Sequence, residues 1–412
     1  MSLQFITGNS GNGKTKYLFN RIVKEAKANP RDNYLVIVPE QFTMQTQRQL
    51  VDLSENKAIM NIDVLSFKRL AYRVFDELGI TNLTVLEETG KNLVLRKLAA
   101  QEADKLGVIG RNLNRIGYIS EVKSLLSELV QYNISPEELG RYIASGRLSD
   151  TLSDKLKDVL VLYEAFEKFM QDKYITAEEI LNVLSNVAEE SAILRNSVIA
   201  FDEFTGFTPI QNQLIKKLFV ISKKIYVTLT IDCREDIFKS RGMQELFDMP
   251  KRTVKSLTEM AAFYGIEVEE PIILDKNYRL AENEELSFME QQLFRKRRCS
   301  FKKAPKHIHI DCLRDPKQEL TKIARRINEL VRNENLRYRD IAIVTGDVNI
   351  YAGYVREIFD KYNIPYFIDA TQEILFHPFI EFIRSIPDIA AQNFSADAVF
   401  RFLRCGFSEL LD

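Results

Sequence analysis

The sequence predicts an α/β protein with a parallel sheet, an all-helical block inserted into it, and the start of a second α/β domain. Three observations carry this. Apolar runs of strand length alternate with segments of helical period near both ends of the chain. A glycine-rich turn, Gly8 to Thr15, stands between the first strand-like run and the first helix-like one. Between about Leu83 and Val187 the strand signal vanishes.

In chain order, Leu3 to Thr7 reads as a short strand, and Leu18, Ile22 and Ala26 then recur at helical spacing through Tyr17 to Ala28. The apolar runs Tyr34 to Val38 and Ile59 to Leu65 read as buried parallel strands on either side of a helix over Gln41 to Leu50. In the helical block, Leu156, Val159, Tyr163, Phe166 and Met170 share a face. Ser135 to Glu138 and Thr176 to Glu179 fit the capping box, in which hydroxyl and carboxylate each satisfy a free backbone N–H. Strands resume at Val198 to Phe201 and Ile225 to Leu229. Beyond a basic stretch at Arg295 to Lys306, strand-like Ile308 to Ile310, Ile341 to Val344 and Tyr366 to Ile368 alternate with helical Leu320 to Arg332 and Tyr351 to Tyr362.

With 412 residues the chain exceeds what one core usually serves, so two or three domains are expected. The 57 basic and 58 acidic side chains nearly cancel, so a nucleic-acid surface would have to be local. Cys233, Cys299, Cys312 and Cys405 are far apart, and no secretory segment or apolar run long enough to span a bilayer is present; these features point to the cytoplasm, with no membrane partner.

Gly8-Asn9-Ser10-Gly11-Asn12-Gly13-Lys14-Thr15 matches the G-x-x-x-x-G-K-[ST] phosphate loop in its strand-to-helix context. Glycines let backbone N–H groups turn onto phosphate oxygens, the helix N-terminus adds positive potential, Lys14 reaches the β- and γ-phosphates of ATP, and Thr15 can ligate Mg²⁺. Such a site needs a carboxylate at another strand end; Asp202-Glu203 directly follows Val198 to Phe201, with Asp202 as the second metal ligand. Taken alone, the pair could equally be a surface strand end.

Asp202-Glu203-Phe204, with Gln211 further on, resembles motif II of UvrD-like superfamily 1 helicases. Thr230 to Phe238 followed by Arg241-Gly242 resembles a degraded motif III, and Asn277-Tyr278-Arg279 is similar to motif IV, whose arginine contacts the γ-phosphate. Val38-Pro39-Glu40-Gln41-Phe42-Thr43 sits at motif Ia and is particularly like the AddB/RexB family; Val64-Leu65-Ser66-Phe67 resembles the following Ser-Phe segment. Asp340 to Val344 and Asn363 to Tyr366 resemble the start of domain 2A, so the likeness covers nearly the whole chain.

The resemblance implies a RecA-like domain 1A over 1–85 and 190–295, an inserted helical domain 1B over 86–189, and a truncated domain 2A over 296–412. It also implies catalytic roles for Asp202, Glu203 and Arg279, and single-stranded DNA contacts at Gln41, Phe42, Thr43, Ser66 and Phe67. The partners it implies are single- and double-stranded DNA and an AddA-type helicase–nuclease subunit. The setting is double-strand-break processing and scanning for a Chi-type sequence. The nuclease domain and 4Fe-4S cluster of the family are expected outside this chain, which reads as an N-terminal fragment.

Departures from the helicase pattern fall on nucleotide sensors. Thr205 replaces a glutamine, and Ile231 and Glu235 stand for glycine and glutamine; a carboxylate there would repel a γ-phosphate. With seven residues before Gly8, the upstream adenine-reading motif has no room. Three readings follow: a nucleotide-binding subunit, a DNA-scanning module whose loop is structural only, and an active translocase; a stand-alone kinase would not explain Asn277-Tyr278-Arg279.

Among weaker signals, Arg295 to Lys306 could line a DNA path or be a solvated connector. His307 and His309 share a strand face but lack a third ligand for a metal. Tyr72, Phe75, Tyr118 and Tyr132 could stack on bases or pack in cores, with packing preferred.

Overall fold

The computed structural model describes the chain except residues 82–83, 109, 111–115, 146–147, 172–173, 296–298, 371–373, 375–376 and 408–412. It contains two compact units, Met1–Ala304 and Pro305–Asp412. Fifteen α-helices and nine strands lie among the described residues.

Seven strands of the first unit form one sheet: β1 (Ser2–Gly8), β2 (Tyr34–Ile37), β3 (Ile62–Leu65), β6 (Val198–Phe201), β7 (Lys224–Thr230), β8 (Glu267–Val268) and β9 (Ile272–Leu274). The order is β3-β2-β6-β7-β1-β8, with β9 also on β1, and every pairing is parallel. Side chains alternate across a strand, and here the alternation divides two cores. Leu3, Phe5, Leu35, Ile37, Ile199, Phe201, Ile225 and Val227 point into one cluster. Ile6, Tyr34, Val36, Val198, Ala200 and Tyr226 point into the other.

Helices cover both faces, as all-parallel sheets require. α1 (Lys14–Ala28) and α2 (Thr43–Leu53) close the second cluster through Leu18, Phe19, Ile22 and Leu50, each such burial contributing roughly 1.5–3 kcal/mol. α3 (Phe67–Leu78), α8 (Ile180–Val187), α9 (Pro209–Ile221) and α10 (Asp248–Phe263) close the first, and α11 (Glu284–Gln292) follows β9 in the chain.

Between α3 and α8 run α4 (Glu88–Gln101), α5 (Ile116–Gln131), α6 (Pro136–Ala144) and α7 (Asp150–Met170). They bury their own cluster, from Leu95 to Met170. The expected strand-free stretch does hold one short ladder: β4 (Val85–Leu86) pairs in parallel with β5 (Ile175–Thr176) where the chain leaves and rejoins the sheet's neighbourhood. Two residues are too few for a periodic signal. The expected start of the block at Leu83 lies outside the described residues. Thr176 N–H donates to Glu179 Oε2 at 2.6 Å and Glu179 N–H to Thr176 Oγ1 at 3.2 Å, the anticipated capping box; at α6, Ser135 Oγ accepts from Glu138 N–H.

The second unit differs from expectation. Ile308 to Ile310, Ile341 to Val344 and Tyr366 to Ile368 are not assigned to strands, and no strand is found among the described residues of this unit. β propensity describes fit to a pleated, paired surface rather than a backbone preference, so strand composition alone need not give a ladder. The unit's core lies between α12 (Pro316–Asn333) and α13 (Val348–Lys361), around Leu320, Ala324, Ile327, Ile358 and Phe359. α14 (Pro378–Ala391) and α15 (Ala396–Arg404) follow.

Candidate functional site

The glycine-rich turn begins at the carboxyl end of β1, where Gly8 is in register with Thr230 of β7. A Cβ at Gly8 would meet the Leu274 carbonyl oxygen at 2.6 Å, so the turn can pass β9 only as glycine. Gly11 has φ +88°, in the left-handed region that favours glycine, and a Cβ there would lie 2.8 Å from Asn277 Oδ1. Gly13, at φ 78°, precedes α1 and supplies no side-chain cap; the first turn of α1 also lacks acids. Its leading N–H groups are thus left to an anion.

Several side chains hold the turn. Asn12 Nδ2 donates to Leu274 O at 2.5 Å, and Asn9 Oδ1 accepts from Cys233 N–H at 3.1 Å while its Nδ2 donates to Glu290 Oε1 at 2.7 Å. From the far side, Asn277 Nδ2 donates to Ser10 O at 3.0 Å, Tyr278 N–H to Gly11 O at 3.0 Å, and Arg279 Nη1 to Ser10 Oγ at 3.5 Å. The Asn-Tyr-Arg run and the glycine turn, over 260 residues apart in sequence, therefore form one wall.

Lys14 Nζ donates to Gly8 O at 3.1 Å and Asn9 O at 3.0 Å. Burial lowers the pKa of this amine, with Asp202 and Glu203 acting in the opposite direction. Asp202 sits one residue past β6 and is 1% exposed. Burial raises its carboxyl above the usual range, against the hydroxyl of Thr228, which donates to Oδ1. Its Oδ2 is buried with no hydrogen-bond partner among the described residues. A buried carboxylate oxygen with no well-formed hydrogen bond fits a hard cation, and Thr15, whose hydroxyl acts on the Asp202 carboxyl and lies 3.4 Å from Glu203 Oε1, is the second oxygen at hand. Glu203 takes φ 64°, uncommon for a residue with a side chain and frequent at functional sites.

These groups line one cleft of about 810 Å³ that extends to Phe42, Gln45 and Gln49 near the start of and on α2. It opens at the carboxyl ends of the strands, where ligands of open α/β sheets bind. All three expected catalytic side chains and Lys14 and Thr15 share it.

The other expected positions are placed differently. Of the five segment residues proposed to touch DNA, Gln41 is exposed and Phe42 half-buried in the cleft wall, but Thr43, Ser66 and Phe67 are buried. Ser66 caps α3 and donates to Glu40; Phe67 stacks on Phe201 with ring centroids 5.8 Å apart and meets Phe204 and Phe207 edge-on. Gln211 forms a capping box with Thr208 at α9. Glu235 pairs with the buried Lys251 at 2.7 Å and Arg295 at 3.6 Å, and is not part of the cleft wall. Arg295 also binds Asp232 at 2.6 Å, so this first residue of the basic stretch is a core-side anchor. Lys296, Arg297 and Arg298 lie outside the described residues. Thr228 and Lys16 belong to the cleft but carry no motif; an exposed Tyr278 ring stands beside Gly13 at its mouth.

The sheet and the cleft define an α/β protein with an anion- and cation-suited site at the carboxyl edge of a parallel sheet. The family model for AddB N-terminal regions matches residues 5–290, and the chain belongs to this family. Proteins named as ATP-dependent helicase/deoxyribonuclease subunits of the B type are similar throughout: 38% identical in Lachnoclostridium phytofermentans, over 99% of this chain and 36% of that protein. The corresponding figures are 33%, 100% and 36% in Clostridium tetani, and 34%, 99% and 35% in Caldanaerobacter subterraneus. The chain spans about a third of the length of these relatives.

Proposed function

We propose that this chain is the nucleotide- and DNA-binding, helicase-like region of an AddB-type subunit, holding ATP and Mg²⁺ in the cleft between Lys14 and Asp202. On this reading Gly8 to Thr15 form a phosphate loop in a RecA-like domain 1A (1–85 and 190–295), 86–189 form an inserted domain 1B, and 296–412 begin domain 2A. The subunit works in the cytoplasm with an AddA-type partner on single- and double-stranded DNA, in recombinational processing of double-strand breaks. The family's nuclease and 4Fe-4S cluster belong to parts outside this chain.

The observation that carries it is the buried Asp202 carboxylate, whose Oδ2 has no well-formed hydrogen bond, in the same cleft as Thr15 and a lysine already bound to the turn's carbonyls. Mg²⁺ held by Thr15 and Asp202 would neutralise phosphate charge. Lys14 and the N–H groups at the start of α1 bind and orient the phosphates, Arg279 stands beside the turn on the same wall, and Glu203 lies next to the metal ligands to order a water.

A second reading is nucleotide binding without turnover. Glu235 is committed to Lys251, and Thr205 is too short to replace the missing glutamine amide, which favours it. Calorimetry of Mg²⁺·ATP with the 412-residue chain, beside single-strand-stimulated hydrolysis, separates the two. Binding lost in Lys14→Ala supports the site; turnover stimulated by DNA favours the motor. Equal affinity of wild type and Lys14→Ala, or no binding by either, would reject ATP as the occupant.

A further inference from the structure

The cleft has two ends. Toward β9, the exposed Tyr278 ring stands beside Gly13; toward β2, the cleft ends on α2. Sheet order decides which end a terminal phosphate faces. The glycine turn follows β1, Asp202 follows β6, and β6 lies between β7 and β2. A phosphate chain that starts on the turn and reaches the metal ligands therefore points toward β2, one strand spacing of about 4.8 Å beyond β6, and β2 leads into α2.

On α2, Gln45, Thr46, Gln49 and Leu53 line the cleft, at the three- and four-residue spacings of one helix face. Met44, Gln47 and Arg48 are exposed on the outward side. Thr46 is buried, whereas Gln45 and Gln49 are exposed to the cleft, and neither amide is hydrogen-bonded to another described residue. The carboxylate on this face, Asp52, lies about two turns beyond Gln45.

The side chains expected to sense a terminal phosphate are not in place. Thr205 reaches less far than a glutamine, and Glu235 is bound to Lys251 and Arg295 away from the cleft wall. Asp202 and Glu203 bring negative charge to the same end of the cleft. An amide can donate an N–H to a phosphate oxygen there and adds no charge to repel it.

We propose that Gln45, in the first turn of α2, contacts the terminal phosphate of the bound nucleotide and makes the site prefer a triphosphate to a diphosphate, with Gln49 one turn behind it. The glutamine that the motifs lack is thus supplied from another element. The inference rests on the ATP-binding reading above and names the residue that sets which nucleotide is held.

The test is calorimetry of the 412-residue chain with Mg²⁺·ADP and with the β,γ-imido analogue of Mg²⁺·ATP. The wild type is expected to bind the triphosphate more tightly. Gln45→Ala should lower that preference about three- to tenfold, the scale of one hydrogen bond to a charged group, while Mg²⁺·ADP affinity stays within about twofold; a misfolded variant would lose both ligands. Gln45→Glu should lower the preference further than alanine does, because its carboxylate repels the added phosphate. Gln47→Ala, on the outward side of the same helix, should leave both affinities unchanged. A wild type that binds the two nucleotides alike, or Gln45 variants that keep its preference, would overturn this inference while leaving nucleotide binding intact. No binding of either nucleotide by the wild type would overturn both readings.

Discussion

At the scale of single residues, the cleft depends on a few positions where only one side chain works. Gly11→Ala places a methyl 2.8–2.9 Å from Asn277 Oδ1 and Arg279 Cβ, at a φ that costs alanine roughly 1–3 kcal/mol. We expect a lower melting temperature and at least about tenfold weaker Mg²⁺·ATP binding, read by calorimetry. Asp202 titrates in the opposite sense to most carboxylates. Its folded pKa is raised, so the native state holds the proton more tightly and the protonated form favours folding at low pH. That contribution fades as pH rises from the unfolded value through the folded one. Asp202→Asn is therefore expected to stabilise the metal-free protein more at pH 8 than at pH 5 in thermal melts. Lys14, Thr15 and Asp202 were legible in the sequence because their chemistry ties residue type to spacing. The burial of Ser66 and Phe67, the cap made by Gln211 and the turn of Glu235 toward Lys251 were not, since a motif records identity but not side-chain direction.

Among the elements, most strands and helices follow from periodicity because each sheet face and helix face feeds a separate core. The failures come from partners rather than propensity: Ile341 to Val344 has strand composition and no ladder. The tie between α4 and the turn after β5 depends on a feature no pattern displays, the ammonium of Lys91, 3% exposed, held by Glu178 at 2.7 Å and Glu88 at 2.8 Å. Burial opposes both charges of the Lys91–Glu178 pair, yet the hydrogen bonds between them prevail, so Lys91 is raised and Glu178 lowered. Lys91→Met should cost about 3–5 kcal/mol in urea unfolding by stranding a carboxylate, and adding Glu178→Leu should recover most of it. At α9, Thr208→Ala removes the capping box and is expected to cost about 0.5–2 kcal/mol by the same measurement.

For the whole molecule, every residue lining the cleft lies between Ser10 and Arg279, within Met1–Ala304. A chain of those 304 residues is therefore expected to bind Mg²⁺·ATP within about twofold of the full 412, by calorimetry; a larger loss would make the second unit part of the site. No helix among the described residues is long and apolar enough to cross a membrane. The two-residue ladder of β4 and β5 sets Val85 opposite Ile175, one strand spacing of about 4.8 Å apart. A chain that returns to its point of departure leaves a seam where sequence can be exchanged without rerouting the rest. The helices between could be shortened, replaced by those of a relative, or excised behind a brief linker, while the sheet and its glycine turn keep their connectivity. Such a seam gives a lineage freedom to remodel one lobe while the cleft at the sheet's carboxyl edge stays as it is.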